Sequence, residues 1–382
     1  MGRNMRIAFD ARASGDFGIG THIRNLVRAL GGVDRENEYI LICSKENKDD
    51  FQGLPPNFQL VHYRRTERDW RDHILFPSFL GRFKADLHHI PVNRVPIFMR
   101  RPYVVTIHDM GRLVYSEQHG IEKQFNYWKR RRGLLRATRV ITVSSATQRD
   151  VETAMGIEPE KIRRIYDALD HGFLELGTRE RPFAKAVLER YGVTYPYILY
   201  AGSIRPQKNV PRLIEAFTVL RNELAADPRY AELRLIIIGG DSSQNPAVRV
   251  AVSRTRSSGY VRFFGFVSQE TLRTFYENAA AFAFPSLNEG FGLPPLEAMA
   301  CGTPVLTSNV SSLPEVVGTA AVLVNPENVF EIARGLKEIL LDEALRTRLI
   351  AEGHRQVERF SWERTARETL AVYREARAAA SA

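Results

Sequence analysis

The residues best equipped for chemistry lie in FAFPSLNEGFGLPPLEAMACGTPVLTSN, residues 282–309. A strand-like run ends at Phe284 or Pro285, a loop follows, and Pro294 or Pro295 falls in the first turn of a helix, where a missing N–H is tolerated. Gly290 and Gly292 let the backbone of Gly290, Phe291, Gly292 and Leu293 approach a ligand closely, and the N–H groups of the helix start favour an anion. This is a phosphate-binding pattern. Glu289 and Glu297 bracket it, and because a carboxylate accepts two hydroxyl hydrogen bonds, the loop acid suits a sugar ring and the helix acid a ribose. Read singly, Glu289 is as readily a capping acid and Glu297 a helix-surface residue; the glycines between them favour the binding reading.

SIRPQKN, residues 203–209, places Arg205 and Lys208 on a second strand-to-helix loop. Such a basic pair neutralises a diphosphate leaving group where negative charge develops; the plain alternative is a solvated loop. Gly15, Gly18 and Gly20 follow the strand IAFDA in a loop that could close over a diphosphate or an acceptor, yet the G-x-x-G-x-G order is not the dinucleotide fingerprint, and Asp16 suits a simple turn. His108 ends VVTIH and precedes Asp109, at the carboxyl end of a strand, where open α/β sheets bind their ligands. A lone histidine is more often structural.

Positioning these residues takes alternating strands and helices. RIAFDA, YILIC, PYVVTIHD and RVITVSS in the first half, then YILYAG, LRLIIIGG, VRFFGF, AAFAFPS and TPVLTS in the second, are short apolar runs separated by helical patterns, which implies parallel sheets covered on both faces. The series restarts at YILYAG after a loop-like stretch near 175–190, so two Rossmann-like domains are expected, 1–180 and 185–361, with the strandless helical segment 362–382 packing back on the first. A length of 382 residues suits two cores.

Composition narrows the function. No apolar run reaches the roughly 18 residues of a membrane span, and Cys43 and Cys301 suit a reducing compartment, so the expected location is the cytoplasm or the inner face of a membrane. Seven of the ten net positive charges fall within residues 1–180, densest at Lys129, Arg130, Arg131, Arg132, Arg136 and Arg139. That stretch, 129–139, is either a solvated helix face or a contact for an anionic membrane surface. Nucleic acid is disfavoured, since no aromatic-interleaved basic motif accompanies the charge. No metal cluster with convincing spacing and no cofactor are expected.

EGFGLPPLEAMACGTPV, with seven residues between Glu289 and Glu297, resembles the signature of glycosyltransferase family 4, retaining enzymes of the GT-B fold. The resemblance extends through DARASGDFGIGTHIRNLVRAL, VVTIHDM, VITVSSATQRDV, YAGSIRPQKNVPRLIEAF and SSLPEVVGTAAVLVNP, and is greatest to the bacterial O-antigen and capsule mannosyltransferases. It implies a nucleotide-sugar donor, GDP-mannose by branch, held by the second domain, and a glycan or lipid-linked acceptor held by the first. It implies that Arg205 and Lys208 act on the leaving diphosphate, that His108 contacts a hydroxyl of the donor sugar across the cleft, that Gly18 and Gly20 belong to the binding loop, and that the turn at Gly265, Phe266 and Val267 reads the base. Attack on the front face, with the diphosphate accepting the acceptor's proton, is implied as well.

Two departures stand out. Ser203 occupies the place where many relatives carry arginine, so Arg205 must reach the phosphates from another position, and YDALDHGF, residues 166–173, replaces a Pro-Asn-Gly-Val-Asp turn. The rival readings are a nucleotide-sugar 2-epimerase of the same fold, a UDP-sugar-dependent transferase and a nonenzymatic nucleotide-sugar sensor.

Overall fold

A computed structural model describes residues 4–16, 18–66, 69–111, 120–177, 184–240 and 245–381. The chain forms two compact units, one of residues 1–168 with 360–382, the other of residues 169–359. Each contains its own parallel sheet.

In the first unit, β1 (Arg6–Asp10), β2 (Glu38–Cys43), β3 (Phe58–His62), β4 (Leu87–Ile90), β5 (Tyr103–Ile107), β6 (Arg139–Thr142) and β7 (Ile162–Arg164) lie in the order β3-β2-β1-β4-β5-β6-β7. In the second, β8 (Tyr197–Gly202), β9 (Arg234–Gly239), β10 (Val261–Phe264), β11 (Ala281–Phe284), β12 (Val305–Ser308) and β13 (Ala321–Val324) lie in the order β10-β9-β8-β11-β12-β13. Both orders reverse direction beside their first strand, between β1 and β4 and between β8 and β11, and at such a switch point the loops diverge to leave a crevice for ligand. The central strands are buried along nearly their whole length, with only Gly202 and Arg234 half-buried at strand ends, as their largely apolar sequences require.

The nine strand-like segments form β1, β2, β5, β6 and β8 to β12. FQLVH, LHHI, IRR and AVLV are further strands that carry polar residues or only three or four positions. The division falls between Ala168 and Leu169, ahead of the stretch near 175–190, part of which (178–183) lies outside the described residues. The helix His171–Leu176 goes with the second unit because Phe173 packs edge-on against Tyr276 and its carbonyl accepts from the Arg273 guanidinium. The last helix, Trp362–Ser381, packs against the helix Ile19–Val33 of the first unit and buries Ala366, Leu370, Val372, Tyr373 and Ala376 in that core.

Candidate active site

In the second unit the loops after β8 and β11 flank the switch point and are stitched together. The Leu287 N–H and the Ser286 hydroxyl both donate to the Gln207 carbonyl, at 2.7 and 2.9 Å, and the Asn209 amide donates to the carbonyls of Pro285 and Pro326. Asn209 sits in the left-handed region at φ 60°, which asparagine tolerates better than most residues, and begins the helix Val210–Glu223. These bonds bring Lys208 Nζ to 2.5 and 2.7 Å from the two carboxylate oxygens of Glu289, with the ammonium over the Phe284 ring. The residues expected to serve the diphosphate and the sugar are therefore paired with each other. Arg205 lies exposed on the same loop and, among the described residues, has no ion-pair partner.

The loop itself is held from below. Ser311 donates to the Glu289 carbonyl at 2.8 Å and accepts from its N–H at 3.0 Å, while Ser312 donates to the carbonyls of Glu289 and Phe291. Gly292 has φ 117°, a conformation that L side chains rarely adopt, so glycine is required by conformation; a Cβ there would in addition crowd the Leu313 side chain at 2.9 Å. The helix Leu293–Ala300 then begins with Pro294 and Pro295 in its first turn. Two of the four N–H groups of a helix start are thus missing, and its anion-binding donors are narrowed to Gly292 and Leu293.

Glu297 lies one turn into that helix and accepts a 2.9 Å hydrogen bond from the Tyr276 hydroxyl. Burial lifts its carboxyl to about 7, against the opposing Tyr276 bond. Ser203 offers its carbonyl to the Tyr200 hydroxyl at 2.9 Å. Phe266, exposed, and Val267 follow β10 at the carboxyl edge of the same sheet.

In the first unit Gly18 and Gly20 open the helix Ile19–Val33. Gly18 has φ 72°, whereas Gly20 is required by packing, since a Cβ there would run into the Ser14 carbonyl. His108 follows β5, and its Nε2 lies 3.1 Å from the Pro91 carbonyl, which can only accept; Nε2 therefore carries the hydrogen. Its other nitrogen, Nδ1, stands 4.0 Å from Asp167 Oδ2, and Asp167 Oδ1 is 2.7 Å from His22 Nδ1. Burial, reinforced by His22, holds His108 down at about 4, so the ring is neutral near pH 7. Where no metal cluster was expected, the fold brings together, among the described residues, His22, His108 and Asp167, with side-chain N and O atoms all within 4.8 Å of one another. Residues 22, 108 and 167 show no spacing from which this could be read. Tyr276, Ser311 and Ser312 were likewise missed as site residues, because a hydroxyl that braces a carboxylate or a loop leaves no motif.

Comparison with known proteins places this geometry. The Glycosyl transferases group 1 profile matches residues 189–356 and the Glycosyltransferase Family 4 profile residues 18–173. O-antigen chain mannosyltransferase B of Escherichia coli is 31% identical over 320 residues, 83% of this chain and 79% of that protein. The chain belongs to glycosyltransferase family 4. Another relative, the serotype-specific mannosyltransferase WbdA of E. coli, is 32% identical over 280 residues, 72% of this chain but 33% of that larger protein. Among solved structures, sucrose-phosphate synthase from Thermosynechococcus elongatus superposes with a TM-score of 0.74 at 21% identity, covering 97% of this chain and 98% of that one. Anabaena HepE, solved in complex with UDP and glucose, gives 0.74 at 18%, covering 97% and 100%. The fold of this family 4 member is thus the two-domain GT-B architecture; it is a glycosyltransferase, and the comparisons do not favour an epimerase. Among its described residues no helix is long and apolar enough to cross a membrane.

Proposed function

We propose that the enzyme transfers mannose from GDP-mannose, with retention of configuration, to a glycan or lipid-linked acceptor of cell-surface polysaccharide. The observation that carries this reading is the Lys208–Glu289 pair beside the Gly292 helix start at the switch point of the second sheet. One group offers positive charge to a diphosphate, the other a carboxylate to sugar hydroxyls, and the helix start offers two N–H donors. Mannose is supported by the named activity of the E. coli relatives.

In the reaction the bond from the sugar C1 to the diphosphate oxygen breaks, the acceptor oxygen bonds C1 on the same face, and the acceptor's proton passes to the departing phosphate oxygen. Lys208 and the exposed Arg205 stabilise the charge left on that diphosphate. Glu297 takes the ribose, Phe266 and Val267 the base, and Ser203 and the 290–293 backbone the phosphates. The neutral Nδ1 of His108 is a hydrogen-bond acceptor suited to a hydroxyl of the transferred sugar. No cofactor takes part.

The first unit is assigned the acceptor, and its helix Ile121–Arg136 the contact with an anionic membrane surface. There Phe125 and Trp128 stack 6.0 Å apart, with Lys129 and Arg132 over their rings. Trp70, Ile74 and Phe98 add further exposed apolar surface near Lys129, since Phe98 is tied to His73, which feels the Lys129 charge. Rings beside cations suit a headgroup boundary. Incubation of the purified protein with GDP-mannose and with UDP-glucose, each with a lipid-linked acceptor, tests the reading. An α-linked mannosyl product from GDP-mannose alone is expected, and transfer from UDP-glucose alone overturns the donor assignment.

A further inference from the structure

No Asp or Glu occurs between Asp241 and Glu270, a stretch that carries Arg249, Arg254, Arg256 and Arg262. Part of this charge meets at a cavity. Within the second unit, a cavity of about 480 Å³ opens between the helix Pro246–Arg254 and β10, the edge strand of its sheet. Val248 and Val252, one helical turn apart, and Phe263 of β10 give it apolar walls, while Arg249, Arg256 and the hydroxyls of Ser253 and Ser258 give it polar ones. Arg262 is engaged elsewhere: it donates to the Tyr195 hydroxyl at 3.1 Å and lies over the Phe264 ring. Arg249 and Arg256 have no ion-pair partner among the described residues. The backbone of Arg256 separates this cavity from an ordinary solvated face. Arg256 follows the helix end with φ 52°, its N–H donating to the Ser253 carbonyl and the Ser257 N–H to the Val252 carbonyl, both at 3.1 Å. This is the helix-ending motif whose left-handed position is usually glycine. Glycine would make both bonds without the strain that a β-carbon brings there. What the arginine adds is its side chain at the cavity.

We propose that this cavity binds a small phosphate monoester with an apolar body, the phosphate held by Arg249 and Arg256 and the body lying against Val248, Val252 and Phe263. Two guanidiniums without a carboxylate between them present two positive charges, and a monoester carries roughly 1.5 to 2 negative charges at neutral pH. A carboxylate would leave one guanidinium uncompensated. The planar fork of arginine matches phosphate oxygens in pairs, and a serine hydroxyl can add a further donor. The volume lies within the range of roughly 300–1,000 Å³ that encloses a whole small ligand, so the monoester is a free molecule rather than a headgroup at a membrane. None of the residues that line the cavity is assigned to the nucleotide sugar. The inference therefore holds whatever the donor is.

The test titrates phenyl phosphate calorimetrically into the full-length protein near neutral pH, beside phenol and inorganic phosphate. Saturable binding is expected that is tighter than that of either half alone and weaker about two pH units lower, where the monoester loses its second charge. Affinity should fall roughly tenfold or more in Arg249→Gln and in Arg256→Gly, each of which removes a charge-assisted contact. It should stay within about twofold in Arg254→Gln, which removes the same charge from the same helix outside the cavity, where solvent and salt screen it. Arg256→Gly should keep a melting temperature at or above that of the wild type, because glycine suits the left-handed position, so its weaker binding is not a failure to fold. Absence of saturable phenyl phosphate binding overturns the proposal. Equal binding by the wild type, Arg249→Gln and Arg256→Gly overturns it too, since the anion then sits elsewhere, and an equal loss in Arg254→Gln reduces the site to diffuse charge. If vesicles of phosphatidic acid lose binding in Arg256→Gly while phenyl phosphate never binds, the phosphate belongs to a lipid headgroup and the small-molecule assignment falls.

Discussion

At the scale of single residues, the site is a set of carboxylates whose partners fix their behaviour. Glu297, raised by burial to about 7, must be ionised to accept two ribose hydroxyls, so nucleotide affinity measured by calorimetry should rise as pH increases through 7. Glu297→Gln should flatten that dependence and Glu297→Ala should weaken binding at every pH; unchanged affinity in both would remove Glu297 from the ribose. The linkage to stability runs the other way. With a folded value above the ordinary 4.5, the group's favourable contribution is complete below pH 4.5 and lost as pH rises through 7, so Glu297→Gln should stabilise the ligand-free protein in alkali. In the proposed reaction Lys208 contributes a charge-assisted bond worth roughly 1.5–3 kcal/mol to the leaving diphosphate, and Lys208→Ala also strips Glu289 of its only ion-pair partner among the described residues. Turnover at saturating donor should fall at least about tenfold, which is the kinetic equivalent of the lower figure. A fall of less than threefold would show that Lys208 does not touch the diphosphate. Arg205→Ala, on an exposed side chain, should be milder.

At the scale of elements, the basic stretch 129–139 is less uniformly available than its sequence suggests, and it is not one helix face: the helix ends at Arg136 and Arg139 opens β6. Arg139 is held by Glu375 at 3.0 Å and Arg131 donates to the Met155 carbonyl, while Leu134 is core and Leu135 exposed. What faces outward is the mixed surface of Phe125, Trp128 and their cations, with both rings about half exposed. Each cation near an anionic leaflet contributes about 1 kcal/mol, screened within a Debye length. In liposome flotation the protein should therefore bind anionic vesicles at low salt and leave them at high salt. A Phe125→Ser, Trp128→Ser double variant should bind more weakly at both, which charge alone does not explain. Indifference to anionic vesicles at low salt would make this a solvated face. The same contrast shows what was legible in the sequence. The strands β8, β9 and β11 announce themselves because a strand buried on both faces must be apolar at every position. LHHI did not, although β4 is central, because two buried histidines interrupt its apolar run, and the partners of His89, Tyr373 and Thr106, come from elsewhere in the chain. The EGFG loop was legible because Gly292 and the following prolines restrict the backbone locally. The Lys208–Glu289 pairing and the His22–Asp167–His108 group were not, since each depends on loops from separate strands meeting at one sheet edge.

At the scale of the whole molecule, the last helix closes the first unit's core although it is last in sequence. Tyr373 is fully buried and its hydroxyl lies 2.6 Å from Nδ1 of the equally buried His89, whose Nε2 is 2.8 Å from the Thr106 hydroxyl; Glu375 pairs with Arg139 and Arg163. Removing the Tyr373 hydroxyl leaves a buried imidazole nitrogen unsatisfied, which costs about 1–3 kcal/mol, while the ring's packing is retained. Truncating the ring to alanine adds a cavity, for a total of roughly 3–5 kcal/mol. Two independent cores make this effect local. All three tryptophans, Trp70, Trp128 and Trp362, belong to the first unit, so fluorescence-detected unfolding of the full chain reports that unit alone. Tyr373→Phe should move the urea midpoint of the tryptophan signal downward, and Tyr373→Ala should move it further. Nucleotide affinity, which the proposed donor site assigns to residues of the second unit, should stay at the wild-type value in Tyr373→Phe under native conditions. A loss of nucleotide binding equal to the loss of stability would mean that the two cores unfold as one, and that the chain is a single cooperative body.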